Sequence, residues 1–131
     1  MKYLIDTGVW LWLLSEPERL SRATLAKFDS SADEFFLSSA SVWEISIKWS
    51  KGKLALPEAP TTHIPSRMFA LGVRPLPISQ AHALAVAVLP AHHHDPFDRL
   101  LIAQAQTEEM TVISADHEFE KYSVKLLWAG R

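Results

Sequence analysis

Hydrophobic positions along the chain fall into two kinds of run: short β-prone blocks and longer stretches of helical character. Tyr3-Leu4-Ile5 is a strand-like block that stops at Asp6-Thr7-Gly8. Val9 to Leu14 is apolar throughout and predicts a buried helix, closed by a Glu-Pro-Glu turn. Ser21 is placed to cap a short helix reaching about Lys27, and Phe35-Phe36-Leu37 forms the second strand block. Ser41 is predicted to open a helix that runs to about Lys51 and stops at Gly52. Thr62 to Leu71 reads as helix, with Gly72 in the stop position. Val73 to Ile78 is extended but carries two prolines, which suits a sheet edge. Ser79 caps an alanine-rich helix to about Leu89. Asp95-Pro96 opens a helix to about Glu109, since Pro is favoured at the first helical position. Thr111 to Ser114 is a third clear strand and Val124 to Trp128 a fourth. Strands alternating with helices predict an α/β fold with a mainly parallel sheet covered on both faces.

Composition narrows the class further. At 131 residues the chain fits one domain, spanning residues 1–131. A hydrophobic fraction of 48% is too high for a disordered protein. The lack of cysteine excludes a disulfide framework, thiolate zinc sites and iron–sulfur ligation. The formal charge of −2 gives no net attraction to nucleic acid, so such binding needs a local basic patch. No stretch reads as a signal peptide or membrane span, and the expected setting is a soluble, cytoplasmic one.

The acids supply the candidate chemistry. In a parallel sheet with right-handed crossovers all strand carboxyl ends share one edge, and ligands bind in the crevice along it. Asp6 ends the first strand, Glu44 lies in the first turn of the helix after the second, Asp95 and Asp98 begin the helix after the proline-rich segment, and Asp116 follows the Thr111–Ser114 strand. Each has a plain alternative as a helix cap, contributing about 1 kcal/mol. Ser41-Val42-Trp43-Glu44 has the form of a capping box, and Asp95-Pro96-Phe97-Asp98 has the same form. Together, however, capping acids at one edge would crowd charge. Two carboxylates about 4 Å apart repel by about 4 kcal/mol at an effective dielectric of 20. Helix N-termini offset only about 0.3–1 kcal/mol each at exposed positions. The balance calls for a counter-ion, and an all-oxygen donor set suits Mg²⁺ or Mn²⁺. The chemistry such a cluster supports best is phosphodiester hydrolysis by a metal-activated water.

The same stretches carry a family signature. Leu4-Ile5-Asp6-Thr7, Ser39-Ala40-Ser41-Val42-Trp43-Glu44-Ile45, Asp95-Pro96-Phe97-Asp98-Arg99-Leu100-Leu101-Ile102-Ala103 and Ile113-Ser114-Ala115-Asp116 occur in that order. Together they resemble PIN-domain ribonucleases, specifically the toxin branch of VapBC-type toxin–antitoxin pairs, over essentially the whole chain. The resemblance implies a three-layer α/β/α fold and a metal-dependent endoribonuclease. It matches the metal-binding acids to Asp6, Glu44, Asp98 and Asp116, and a Ser or Thr near the metal to Ser114. It also implies a homodimer, neutralised by a small antitoxin whose C-terminal tail covers the site. The chain departs from many relatives at Gly8, where they have His, and at His94, where they have a basic residue.

Roles follow as expectations. Asp6 and Asp98 are assigned the most direct metal contacts, Asp116 completes or bridges the site, and Glu44 binds metal or orients the attacking water. Lys48, Lys51, Lys53 and Arg99 are candidates for the RNA backbone, where contacts position substrate without reading sequence; an ordinary solvated helix face is the alternative for the lysines, and a structural pairing with a carboxylate the alternative for Arg99. Ser114 is grouped with the substrate contacts. A transition-metal site in His92-His93-His94 is disfavoured, because consecutive residues rarely ligate one ion together, while a protonated His94 could meet phosphate. Most of the five tryptophans are expected in the core, with Trp10 or Trp12 turned outward for a partner, since residues two apart on a helix do not share a face. Three rival readings remain: a receiver-type phosphotransfer domain, which lacks a Lys at the end of a later strand; a non-catalytic binding module whose acids are only caps; and a nuclease of the same fold acting on DNA.

Overall fold

The computed structural model describes residues 1–131. Five strands form one sheet: β1 (Lys2–Ile5), β2 (Glu34–Ser38), β3 (Arg74–Leu76), β4 (Thr111–Ser114) and β5 (Leu126–Trp128), in the order β3-β2-β1-β4-β5. All four pairings are parallel. The Pro-containing β3 takes an edge, where the missing Pro75 N–H costs no ladder bond.

Six α-helices cover the sheet: α1 (Thr7–Ser15), α2 (Arg22–Phe28), α3 (Ser39–Ser50), α4 (Pro60–Leu71), α5 (Gln80–Ala85) and α6 (Pro96–Glu108). The period-two alternation of the central strands sorts the core into two halves. Tyr3, Ile5, Phe35, Leu37 and Ile113 face one layer, with Val9, Trp10, Ile45 and Ile64 from α1, α3 and α4. Leu4 and Val112 face the other, with Leu101, Ile102 and Ala105 from α6. Helices on both faces complete the three-layer α/β/α arrangement, in which β1 is paired on both sides.

Several boundaries differ from the pattern-based expectation. α3 begins at Ser39 and is capped by Ser38, whose hydroxyl accepts the Ala40 N–H. Ser41 therefore sits inside the helix, where its Oγ accepts a 2.8 Å bond from Thr7 Oγ1, and the Ser41–Glu44 capping box does not form. α4 starts at Pro60, which uses proline's fixed φ, and ends at Gly72 with φ 67°. α5 stops at Ala85 and passes into a 3₁₀ turn, Val86–Val88, rather than running on to Leu89. The tryptophans also differ from expectation. Trp10 is fully buried, but Trp43, Trp49 and Trp128 are exposed, so the outward-facing indoles lie mainly on α3 and at the β5 edge rather than on α1. No helix is long and apolar enough to cross a membrane.

Candidate metal centre

The strand order reverses direction at the boundary between β1 and β4, and in open parallel sheets a crevice forms outside the strand ends at such a point. A cavity of about 270 Å³ opens there, and Asp6, Glu44, Asp95, Asp98 and Asp116 all line it. Four different elements deliver them. Asp6 immediately follows β1, Glu44 projects from the second turn of α3, Asp98 from the first turn of α6, and Asp116 follows β4. The capping alternative now separates these acids. Asp6 occupies the N-cap position of α1, yet its side chain makes no cap bond. Asp95 is a true cap, accepting the Phe97 and Asp98 N–H groups at 2.8 and 3.3 Å. Asp116 accepts the Glu118 N–H at 2.9 Å through one oxygen, leaving its other oxygen free of that role.

The site concentrates negative charge in a poorly solvated place. Asp6 and Glu44 are both buried. Burial, reinforced by Asp98, holds the Asp6 carboxyl up at about 7, with Asp116 and Glu44 pushing the same way and the Ser114 hydroxyl pulling it down. Burial and the neighbouring Asp95 raise Asp98 to about 6, against the bond from His93. Glu44 Oε2 accepts a 2.7 Å bond from Lys48 Nζ, which raises the Lys48 ammonium above its ordinary value. Glu44 Oε1 is buried and has no partner. A buried carboxylate oxygen left unsatisfied is costly, and a cation or a water is the kind of partner that would satisfy it. An all-carboxylate set of this kind matches a hard divalent cation.

The remaining expected contacts divide. Lys48 lines the cavity and feels Asp95 and Asp98 as well as Glu44, so its charge lies over the acidic group. Ser114 is fully buried; its hydroxyl donates 2.8 Å to Asp6 Oδ2 and accepts the Asp116 N–H at 3.0 Å. It orients two acids from beneath. Arg99 turns back onto its own chain and does not line the cavity. Its guanidinium donates to the carbonyls of Pro90 and Val86 at 2.8 and 3.2 Å and to the Tyr122 hydroxyl at 3.3 Å, using its donors to satisfy the segment after α5. Lys51 and Lys53 are exposed beyond the end of α3 and do not line the cavity.

One residue that faces the acids was missed by sequence reasoning. His94 is exposed, whereas His93 Nε2 lies 2.7 Å from Asp98 Oδ2 and 4.0 Å from Asp116 Oδ2. The available signal was the Asp95-Pro96 cap, which turns the chain sharply into α6 and brings the residue two positions earlier back over the first helical turn.

Comparison with known proteins places the fold. Ribonuclease VapC16 of Mycobacterium tuberculosis (strain ATCC 25618 / H37Rv) is 42% identical over 50 residues, which take in 38% of this chain and 36% of VapC16. The match thus spans little more than a third of that ribonuclease. Two solved structures share the fold across the chain. VapBC2 from Rickettsia felis, bound to a DNA fragment from its promoter, superposes with a TM-score of 0.75 at 14% identity, covering 98% of this chain and 99% of that one. DNA-bound VapBC from Salmonella typhimurium gives 0.74 at 16% identity, with 97% of both chains covered. The sequence profile of the PIN domain matches residues 3–125. That match runs from β1 to the approach to β5 and includes all four cavity acids singled out from the sequence, and the chain belongs to the PIN domain family.

Proposed function

We propose that this chain is a divalent-metal-dependent endoribonuclease acting as the toxin of a type II toxin–antitoxin pair. The observation that carries the reading is the convergence of Asp6, Glu44, Asp98 and Asp116 on one cavity in which a buried Glu44 oxygen has no partner. Those four side chains would hold the ion, Mg²⁺ or Mn²⁺. When bound, a divalent ion neutralises phosphate charge and acidifies water, which is the chemistry phosphodiester hydrolysis needs. The protein's own residues do the rest. Ser114 holds Asp6 in place, and Lys48 adds a positive charge at the cavity that suits a phosphate oxygen of the backbone. The elevated affinity of Asp6 and Asp98 for protons marks carboxylates poised for a cation or for proton transfer, as perturbed groups in clefts often are.

RNA is favoured over DNA because the curated relative is a ribonuclease, and an antitoxin partner is favoured because the structures that share the fold are VapBC pairs. Large exposed apolar side chains, including Phe69, Leu84 and Val88, provide surface for such a partner or for a homodimer. Total RNA and matched RNA and DNA oligonucleotides, incubated with Mg²⁺ or Mn²⁺, test the reading. Endonucleolytic RNA fragments that vanish with chelator and with Asp98→Asn are expected. Cleavage of DNA alone, or cleavage unaffected by chelator, overturns it.

A further inference from the structure

The histidine run is the sequence feature that the proposed reaction leaves unused. Only its middle member turns inward: the His93 side chain is 17% exposed, whereas His92 and His94 are exposed. Its main chain is anchored by a 2.8 Å bond from the His93 N–H to the Tyr122 hydroxyl. The ring then presents Nε2 to Asp98 Oδ2 at 2.7 Å and to Asp116 Oδ2 at 4.0 Å. One ligand atom from each of these three residues lies within 4.8 Å of the other two, a spacing that one ion can span. A second observation lies on the cavity that Asp98 and Asp116 also line: Glu44 Oε1 is buried without a partner, on a side chain only 8% exposed.

We propose that His93 Nε2 is a direct ligand of the cation, and that the site therefore prefers a transition-metal ion of the Mn²⁺ type to Mg²⁺. The proposal rests on the metal-dependent reading above and deepens it. Imidazole nitrogen is a borderline donor that suits first-row transition ions, whereas Mg²⁺ favours oxygen ligands and keeps its waters. The objection that neighbouring histidines cannot share an ion does not apply, because a single ring lies against Asp98 and Asp116. Ligation uses the Nε2 lone pair, so the bound ring is the neutral tautomer with its proton on Nδ1. Nδ1 gives up a 3.4 Å contact with the Asp95 N–H, and the cation takes the place of the 2.7 Å hydrogen bond between Nε2 and Asp98 Oδ2.

Pulsed electron paramagnetic resonance of Mn²⁺ bound to the untagged full chain decides the matter. A nitrogen hyperfine coupling is expected in the wild-type protein and in His94→Gln, and its loss is expected in His93→Gln. In calorimetric titrations His93→Gln is expected to weaken Mn²⁺ by roughly tenfold or more while changing Mg²⁺ by less than roughly twofold. If the variant folds poorly, a wild-type spectrum that lacks nitrogen coupling still overturns the assignment. Mn²⁺ bound without nitrogen coupling, in a protein whose Asp98→Asn variant no longer binds it, overturns the His93 assignment and leaves the acid site standing. Failure of the wild-type chain to bind Mn²⁺ at all overturns both.

Discussion

Asp6 shows how burial and charge act on one residue. Its folded carboxyl titrates at about 7 against an ordinary 3.8, because the cavity desolvates it and Asp98 repels it. Between those two values the cation-free folded chain holds a proton that the unfolded chain has released. Its contribution to stability therefore falls as pH rises from about 4 and is fully lost above about 7. Asp6→Asn removes that loss and keeps an acceptor for Ser114. In chelator, the variant is expected to gain thermal stability over the wild type as pH rises from 4 to 7.5, with a ceiling of about 4 kcal/mol at 1.36 kcal/mol per unit. Calorimetric melts across that range check it; equal melts at all pH values count against a buried, repelled Asp6. Ser114→Ala deletes the hydroxyl that favours the ionised form of Asp6, so the Asp6 midpoint should move further up, read by carboxyl-carbon NMR titration without metal. At this scale the sequence located the acids, because strand ends are fixed by topology. It did not show side-chain direction: Ser114, Arg99 and His93 could be read only once their rotamers were set by packing, since spacing alone does not say whether a side chain points into a cavity or back onto the chain.

α6 separates the two acids of the Asp95-Pro96-Phe97-Asp98 motif. Asp95 ties down the first two N–H groups it can reach, while Asp98, three residues on, turns its carboxylate to the cavity and His93. Asp95→Ala should therefore cost about 1 kcal/mol of stability through the lost cap. Asp98→Asn should cost no cap energy and should remove RNA cleavage. Denaturant unfolding of both variants, paired with the cleavage assay, distinguishes the roles; a stability loss in Asp98→Asn matching that of Asp95→Ala would argue that both are only caps. The helix type and order were legible in the hydrophobic runs and glycine stops. The start of α3 was not, because three serines within four residues, Ser38, Ser39 and Ser41, offer competing caps, and the choice of Ser38 is made by the end of β2 and by the bond between Ser41 and Thr7.

The whole molecule gathers distant residues through its topology. β1 and β4 adjoin where the strand order reverses, so Asp6 and Asp116 meet although they lie far apart in the chain, and α3 and α6 close the crevice from either side. The three-layer plan could be read from alternating blocks, but the exposure of Trp43, Trp49 and Trp128 could not, since aromatic residues are read as core until a surface says otherwise. A ligand that binds only the folded state stabilises it by about 2.7 kcal/mol at 100 times its dissociation constant. Saturating Mn²⁺ should therefore raise the melting temperature of the wild-type chain by several degrees. In Asp6→Asn the gain should vanish, reversing the order of stability seen in chelator. The central claim, that four acids from four elements share one cation, is tested most directly by calorimetric titration of Mn²⁺ into the wild-type chain and into Asp6→Asn, Glu44→Gln, Asp98→Asn and Asp116→Asn. Binding by the wild type that is abolished in Asp6→Asn and Asp98→Asn and weakened roughly tenfold or more in the other two is the predicted result. Undiminished binding in all four variants, or none in the wild type, would contradict it.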